Sequence, residues 1–180
     1  MKDSGDNLIV SDSFVKIPAL IAMVSSSIEV FHQETLGYLL GHWTESGFVV
    51  EYAIPFQTVE RGYAHATIND ERIRRIVRML GPLNIDMKLI GAFHSHTQFG
   101  DNRADPLPSD TDLYNMVPGY LHLIVAVNHK RRDQSWKENQ DDTISGTIDE
   151  YHIKIGGYVV PQPGWRYRRV KLKMPSLTVE

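Results

Sequence analysis

The sequence predicts an α+β fold with a mixed, largely antiparallel β-sheet flanked by helices. Three observations lead there. Apolar runs of strand length are intermixed with helical spacings along the chain. Two adjacent strand candidates are joined by a tight turn. A steady β-α-β alternation, which would call for a parallel sheet, is missing, as is any internal repeat. We expect one domain over residues 1–180.

Each element follows from its residues. Ser13 to Ile17 alternates as an edge strand would, and Pro18 suits the first turn of a helix because its missing N–H has no partner there anyway. That helix is expected to run to Gln33, with Leu20, Ile21, Val24, Ile28 and Phe31 at helical spacing. Thr35 to Gly41 and the β-branched run Phe48 to Ile54 flank Glu45-Ser46-Gly47 and read as a hairpin. Asn69-Asp70 can cap a second helix over Glu71 to Leu80, which Gly81-Pro82 ends. Met87 to Phe93 is a short apolar strand of the kind found in the middle of a sheet. Ser109 to Val117 fits a third helix, and Leu121 to Val127 another buried strand leading into the basic turn His129-Lys130-Arg131-Arg132. Asp133 to Asp142 reads as a mobile polar loop, and Ile144 to Leu172 as short strands punctuated by Gly156-Gly157 and Pro161-Gln162-Pro163-Gly164.

Composition narrows the function. The 180 residues are 42% hydrophobic and 23% charged, with net charge -3 and a pI near 6.2. That balance argues against nucleic acid or an anionic membrane as partner. The first residues lack the basic-then-apolar layout of a secretory signal, and the run Ile17 to Val24 is far short of the roughly 20 residues that span a bilayer. A soluble cytoplasmic protein is expected. With no cysteine, any metal must be held by His, Asp or Glu.

The candidate chemistry begins where the apolar run Leu89 to Phe93 ends. His94 and His96 stand at i and i+2, so both imidazoles leave the same face of a strand. A His-x-His pair alone is weak, and a third ligand is needed. Downstream, Ser109 can cap a helix whose first turn carries Asp112. The Ser-x-x-acid spacing has a local reading as a capping box and a functional one as a ligand turned toward the strand end, and spacing does not separate them. Together, His94, His96 and Asp112 make a three-ligand site with an open fourth position, the arrangement of a catalytic zinc rather than a closed structural one. Glu34, just ahead of the Leu36 to Gly41 strand, is the candidate general base for a zinc-bound water.

Taken together, Gln33 to Gly41, Gly91-Ala92-Phe93-His94-Ser95-His96 and Ser109-Asp110-Thr111-Asp112 resemble the JAMM (MPN-plus) metallopeptidases in order and kind. The resemblance covers about residues 18–127 and implies a cytidine-deaminase-like architecture. It implies zinc on His94, His96 and Asp112, Glu34 as general acid and base, and Ser109 helping to stabilise the tetrahedral oxyanion. It further implies cleavage of the amide bond after the C-terminal glycine of ubiquitin or a ubiquitin-like modifier, and the small size is most like archaeal or bacterial members. Two other readings stay open: trimming of a sulfur-carrier protein at its C-terminus, and a non-catalytic MPN scaffold that only binds partners. This chain departs from the family pattern in two places. Thr97 stands where proline is usual, and the spacer Thr97 to Pro108 is longer. The longer spacer is expected to bulge as a substrate-contacting loop or to cover the metal, with Asp101 or Asp105 as alternatives to Asp112.

The other histidines, His32, His42, His65, His122, His129 and His152, have no acid or histidine at ligand spacing and are expected to be solvated or hydrogen-bonded. His65 also lies in a candidate cleft-border loop. The alternating run Arg166 to Lys173 and the arginines Arg72, Arg74, Arg75 and Arg78 are read as solvated faces.

Overall fold

The computed structural model describes residues 12–56, 70–82, 85–162 and 166–175. Nine strands and three helices occur among them: β1 (Asp12–Val15), α1 (Ile17–Glu29), β2 (Leu36–Trp43), β3 (Gly47–Pro55), α2 (Asp70–Leu80), β4 (Lys88–Thr97), α3 (Asp110–Asn115), β5 (Leu121–His129), β6 (Lys137–Glu138), β7 (Ile144–Ile148), β8 (Tyr151–Val159) and β9 (Arg168–Lys173). The sheet order is β5-β4-β2-β3-β1-β9-β8-β7-β6, and β5 also pairs with β8 along its length. The fold is α+β and the sheet mixed, with β1–β3, β1–β9 and β4–β5 parallel and the other ladders antiparallel. The expected α+β class and mixed, largely antiparallel sheet are present, but the sheet is a closed barrel rather than a sheet simply flanked by helices, because the β5–β8 pairing closes it on itself. Closure leaves β4 and β5 without a free edge.

The enclosed core explains the sequence pattern. α1 lays Ala19, Leu20, Met23 and Val24 against the inward residues Val50, Phe93, Leu123, Val125, Ile153 and Leu172. On the outer surface, Leu80, Ile73 and Ile76 of α2 cover Tyr38, Leu40 and Leu89, while Leu113 of α3 and Met116 cover Ile124 and Tyr158. Both faces of β5 are therefore covered, which is why its sequence is almost continuously apolar.

Several local expectations change in three dimensions. β1 is an interior strand, parallel to both β3 and β9, because β9, from far along the sequence, pairs on its other side. α1 stops at Glu29 rather than Gln33. Ser25, Ser26 and Ser27 bond back to carbonyls one turn earlier, the Thr35 hydroxyl donates to the Ser26 carbonyl (2.9 Å), and Phe31 leaves the helix to enter the core. The segment 133–142 is no loose loop. It carries β6, seats Trp136 against Gly146, and is tied by Asn139 to Thr143 and Ser145 and by Asp141 to Lys154. Gly156 and Gly157 lie inside β8, not in a turn, paired with β5, and glycine stands at both because the Tyr158 hydroxyl and Leu172 occupy the space a Cβ would need. Val170 and Leu172 of β9 face in while Arg169 and Lys171 face out, as their alternation predicts, Arg168 is exposed at the start of the strand, and Arg74, Arg75 and Arg78 are exposed as their spacing predicts. Asn69 and His65 lie outside the described residues. No described helix is long and apolar enough to cross a membrane.

Gly91 shows how tightly β4, the strand of His94 and His96, is held, since a Cβ there would collide with the backbone carbonyl of Leu121 across the β4–β5 ladder. Gly91→Ala is expected to cost at least about 2 kcal/mol, read as a lowered urea midpoint of the chelator-treated protein. An unchanged midpoint would show that the ladder can spread.

Candidate metal centre

The site forms on the outer face of β4. Strand alternation turns Phe93 and Ser95 inward, where both are buried, and Ala92, His94 and His96 outward. The imidazoles converge: their Nε2 atoms are 3.1 Å apart and the ring centroids 4.9 Å. The parallel neighbour β5 places Ile124 beside His94 and Ala126 beside His96, filling the strand surface beneath them.

Asp112 comes from the first turn of α3. Its backbone N–H donates to the Ser109 hydroxyl oxygen (3.2 Å), and the Ser109 N–H and hydroxyl each donate to Asp112 Oδ2 at 2.7 Å, a complete capping box. The same carboxylate faces the histidines, with Oδ1 3.1 Å from His94 Nε2 and Oδ2 3.3 Å from His96 Nε2. The local and the functional readings of Ser-x-x-Asp therefore hold at once.

Glu34 is delivered by β2. Leu36 is opposite His94 in the antiparallel ladder, and the pairing continues one residue further: the Ser95 N–H donates to the Thr35 carbonyl (2.9 Å) and the Thr35 N–H to the Ser95 hydroxyl (2.8 Å). Glu34 and Leu36, two residues apart, border the cleft that His94 and His96 line. Glu34 lies in the connection after α1 rather than at the helix end, and is exposed.

The electrostatics match a cation site. Burial works to raise the Asp112 carboxyl, but hydrogen bonds from His94, His96 and Ser109 and the His94 charge outweigh it and hold the carboxyl far below the usual carboxylate range. Burial likewise opposes the charge on His96, yet the Asp112 and Asp105 hydrogen bonds and the charges of Asp112 and Glu34 raise it above its ordinary value. His94, His96 and Asp112 are a group that could hold a metal ion, their donor atoms all lying within 4.8 Å of one another. Two imidazole nitrogens and one carboxylate on an open cleft fit zinc with a fourth position free.

The cleft, about 350 Å³, is also lined by Thr111, Asn115, Met116 and His122. His122 was expected to be an ordinary histidine. Burial pushes it down to about 4, its Nε2 meets the Val117 N–H at 3.1 Å, and its place beside Ala92 on β5 brings it to the cleft. Only the pairing of two strands distant in sequence could have revealed that. The spacer 97–108 contributes no residue to the lining, so it does not roof the centre. Asp105 serves through its backbone: its carbonyl accepts from His96 Nδ1 (2.9 Å), while its Oδ1 accepts from the Leu107 N–H (3.0 Å). Asp101 is an exposed turn residue within the loop that the Phe99–Asn102 bridge closes. Among the described residues, then, neither replaces Asp112.

Residues 17–139 match the sequence family described as prokaryotic homologs of the JAB domain. The chain belongs to that family. The match agrees with the JAMM resemblance carried by Glu34, the His-x-His pair and Ser-x-x-Asp. Two solution structures share the fold of this JAB-domain protein. One is a protein from Desulfitobacterium hafniense, with a TM-score of 0.62 and 14% identity over 90% of this chain and 92% of that one. The other is a protein from Salinibacter ruber, with a TM-score of 0.51 and 16% identity over 92% of this chain and 94% of that one. No curated protein matches significantly.

The two shifts act in opposite pH directions. A depressed folded value for Asp112 means its stabilisation is complete above the unfolded value of about 4 and lost as pH falls below it. A raised folded value for His96 means its contribution is complete below about 6.5 and lost as pH rises through the folded value. In chelator-treated protein, urea unfolding should show wild type exceeding Asp112→Asn by most between about pH 4 and 6.5, with the gap narrowing on both sides. A gap independent of pH would remove the coupling.

Proposed function

We propose that this chain is a zinc-dependent peptidase of the JAMM type. It would hydrolyse the amide or isopeptide bond after the C-terminal glycine of a ubiquitin-like or other small modifier protein. The observation that carries this reading is the convergence of His94, His96 and Asp112 on one point of a cleft that Glu34 borders. His94 and His96 would supply neutral nitrogens and Asp112 a carboxylate oxygen. Zinc held there supplies Lewis acidity, lowering the pKa of water from about 15.7 toward about 7 and polarising the scissile carbonyl.

The remaining chemistry belongs to the chain. Glu34 takes the proton of the attacking water and returns it to the departing amine, so one carboxylate acts first as base and then as acid. Its exposed position allows that exchange. The Ser109 hydroxyl, now donating to Asp112 Oδ2, would turn its proton to the oxyanion as charge develops. Leu36, Ala92 and Met116 give the cleft an apolar lining beside the polar centre. A cleft of about 350 Å³ admits a few residues of extended chain rather than a folded body, which suits a flexible C-terminal tail. We read residues 1–180 as one such domain acting in the cytoplasm on a protein substrate, without a nucleic-acid or membrane partner.

Purified protein should bind about one zinc per chain. Asp112→Ala should weaken binding by more than the roughly 10–100-fold typical of losing an outer partner. Less than about a tenth of an equivalent after zinc-replete preparation would favour a non-catalytic scaffold, because a three-ligand site should fill. Glu34→Gln should retain zinc and lose about 10²–10⁴-fold in kcat on a modifier conjugate; undiminished cleavage would overturn its role. A panel of ubiquitin-like and sulfur-carrier conjugates, assayed by mass spectrometry, would identify the tail that is cut.

A further inference from the structure

The unusually long spacer between the second histidine and Ser109 is pinned to the barrel at consecutive residues. The Ala104 N–H donates to Asn128 Oδ1 (2.7 Å), and Asn128 Nδ2 donates to the Ala104 carbonyl (3.1 Å). One buried side-chain amide thus satisfies both backbone groups of a loop residue, as a neighbouring strand would. Two residues on, the Pro106 carbonyl accepts the hydroxyl of Tyr158 (2.7 Å). Asn128 is 3% exposed and Tyr158 fully buried, so neither bond competes with bulk water. Gly156 supplies the space: a Cβ there would come within 2.7 Å of the Tyr158 hydroxyl and 3.0 Å of the Pro106 carbonyl. Between the two anchors lies Asp105, whose carbonyl is 2.9 Å from His96 Nδ1.

We propose that Asn128 and Tyr158 are positioning residues for the metal centre, acting on His96 through the backbone of residues 104–106. A carbonyl can only accept, so the contact requires the proton on Nδ1 of the neutral ring and leaves the Nε2 lone pair for the ion. Fixing tautomer and ring orientation is what an outer partner does for a ligating histidine. Here the partner sits on a loop, so its own position must be secured, and the two strand side chains secure it from β5 and β8. The spacer is then part of the support of the metal centre rather than a lid. This inference rests on the zinc reading for its first readout and is independent of it for its second.

The variants are Tyr158→Phe and Asn128→Asp, the second keeping the acceptor for the Ala104 N–H and turning an oxygen toward its carbonyl. Thr143→Val serves as a control, removing a buried hydroxyl that bonds Asp141 away from the centre. Zinc affinity is measured by competition with a chromophoric chelator on protein shown to be folded by circular dichroism. The tautomer of His96 is read by ¹⁵N NMR of zinc-free protein at alkaline pH, where imidazoles are neutral. Both positioning variants are expected to weaken zinc binding about tenfold or more and to lose the dominance of the Nδ1–H form, while the control changes neither. Should one variant not fold, the other decides. The proposal is overturned if a folded variant keeps wild-type affinity and tautomer, or if Thr143→Val weakens zinc equally. If wild type itself binds no zinc, the peptidase reading falls and the tautomer readout decides the positioning role alone.

Discussion

The reciprocal hydrogen bonds between Thr35 and Ser95 are the constraint on which the centre depends. They extend the β2–β4 ladder past its last regular pair, from Leu36 opposite His94 into the connection that follows α1. Without them Glu34 would be a side chain on an irregular, solvated segment. With them, its neighbour Thr35 is registered to Ser95, the residue between the two histidines. Ser95 is fully buried and Thr35 nearly so, and the Thr35 hydroxyl is also tied to the Ser26 carbonyl in α1. A strand that presents imidazoles outward thereby uses its inward residue to seat the carboxylate on the same edge, and a one-residue slip would turn both histidines into the core.

Asp112 solves a second problem with the same economy of parts. A carboxylate near two imidazoles must be aimed, and a half-buried aspartate on a six-residue helix with no buried residue has little packing to aim it. The capping box does so: Oδ2 accepts from both the N–H and the hydroxyl of Ser109, which leaves the carboxylate plane little freedom. The helix terminus also favours negative charge there. The interaction that starts α3 therefore sets the third donor, and the two readings of the Ser-x-x-Asp spacing describe one geometry.

These devices explain how much of the molecule was legible in its sequence. His94, His96, Asp112, Ser109 and Glu34 could be named because each sits at a position with a local rule: strand alternation, a helix cap, the residue before a strand. The hairpin β2–β3, the helix α2 and the buried strand β5 were legible for the same reason. What escaped was long-range. Nothing within Ser13 to Ile17 says that β9, some 160 residues later, will pair beside it and make an interior strand of an apparent edge. Closure through β5 and β8 is equally invisible in either strand alone. Gly156-Gly157 carries the composition of a turn, and only pairing with β5 and β9 makes it strand. His122 lacked ligand spacing, and its place at the cleft comes from β5 lying parallel to β4. The segment 133–142 looked mobile because its order comes from Asn139, Asp141 and Trp136 reaching other strands, which no local pattern encodes.

Closure of the sheet also bears on how a site can stay both exposed and well positioned. The donors of the centre sit on the outside of the barrel, where solvent can reach them, and a site on the surface is ordinarily a mobile one. Here β4 carries the histidines with β2 on one side and β5 on the other, and β5 is held in turn by β8. Each neighbour contributes a side chain or a register that ends at the centre: Thr35 from the end of β2, Asn128 from β5, Tyr158 from β8. Rigidity thus arrives through the strands while the outer face remains open, and the packed interior need not be disturbed for the cleft to be entered.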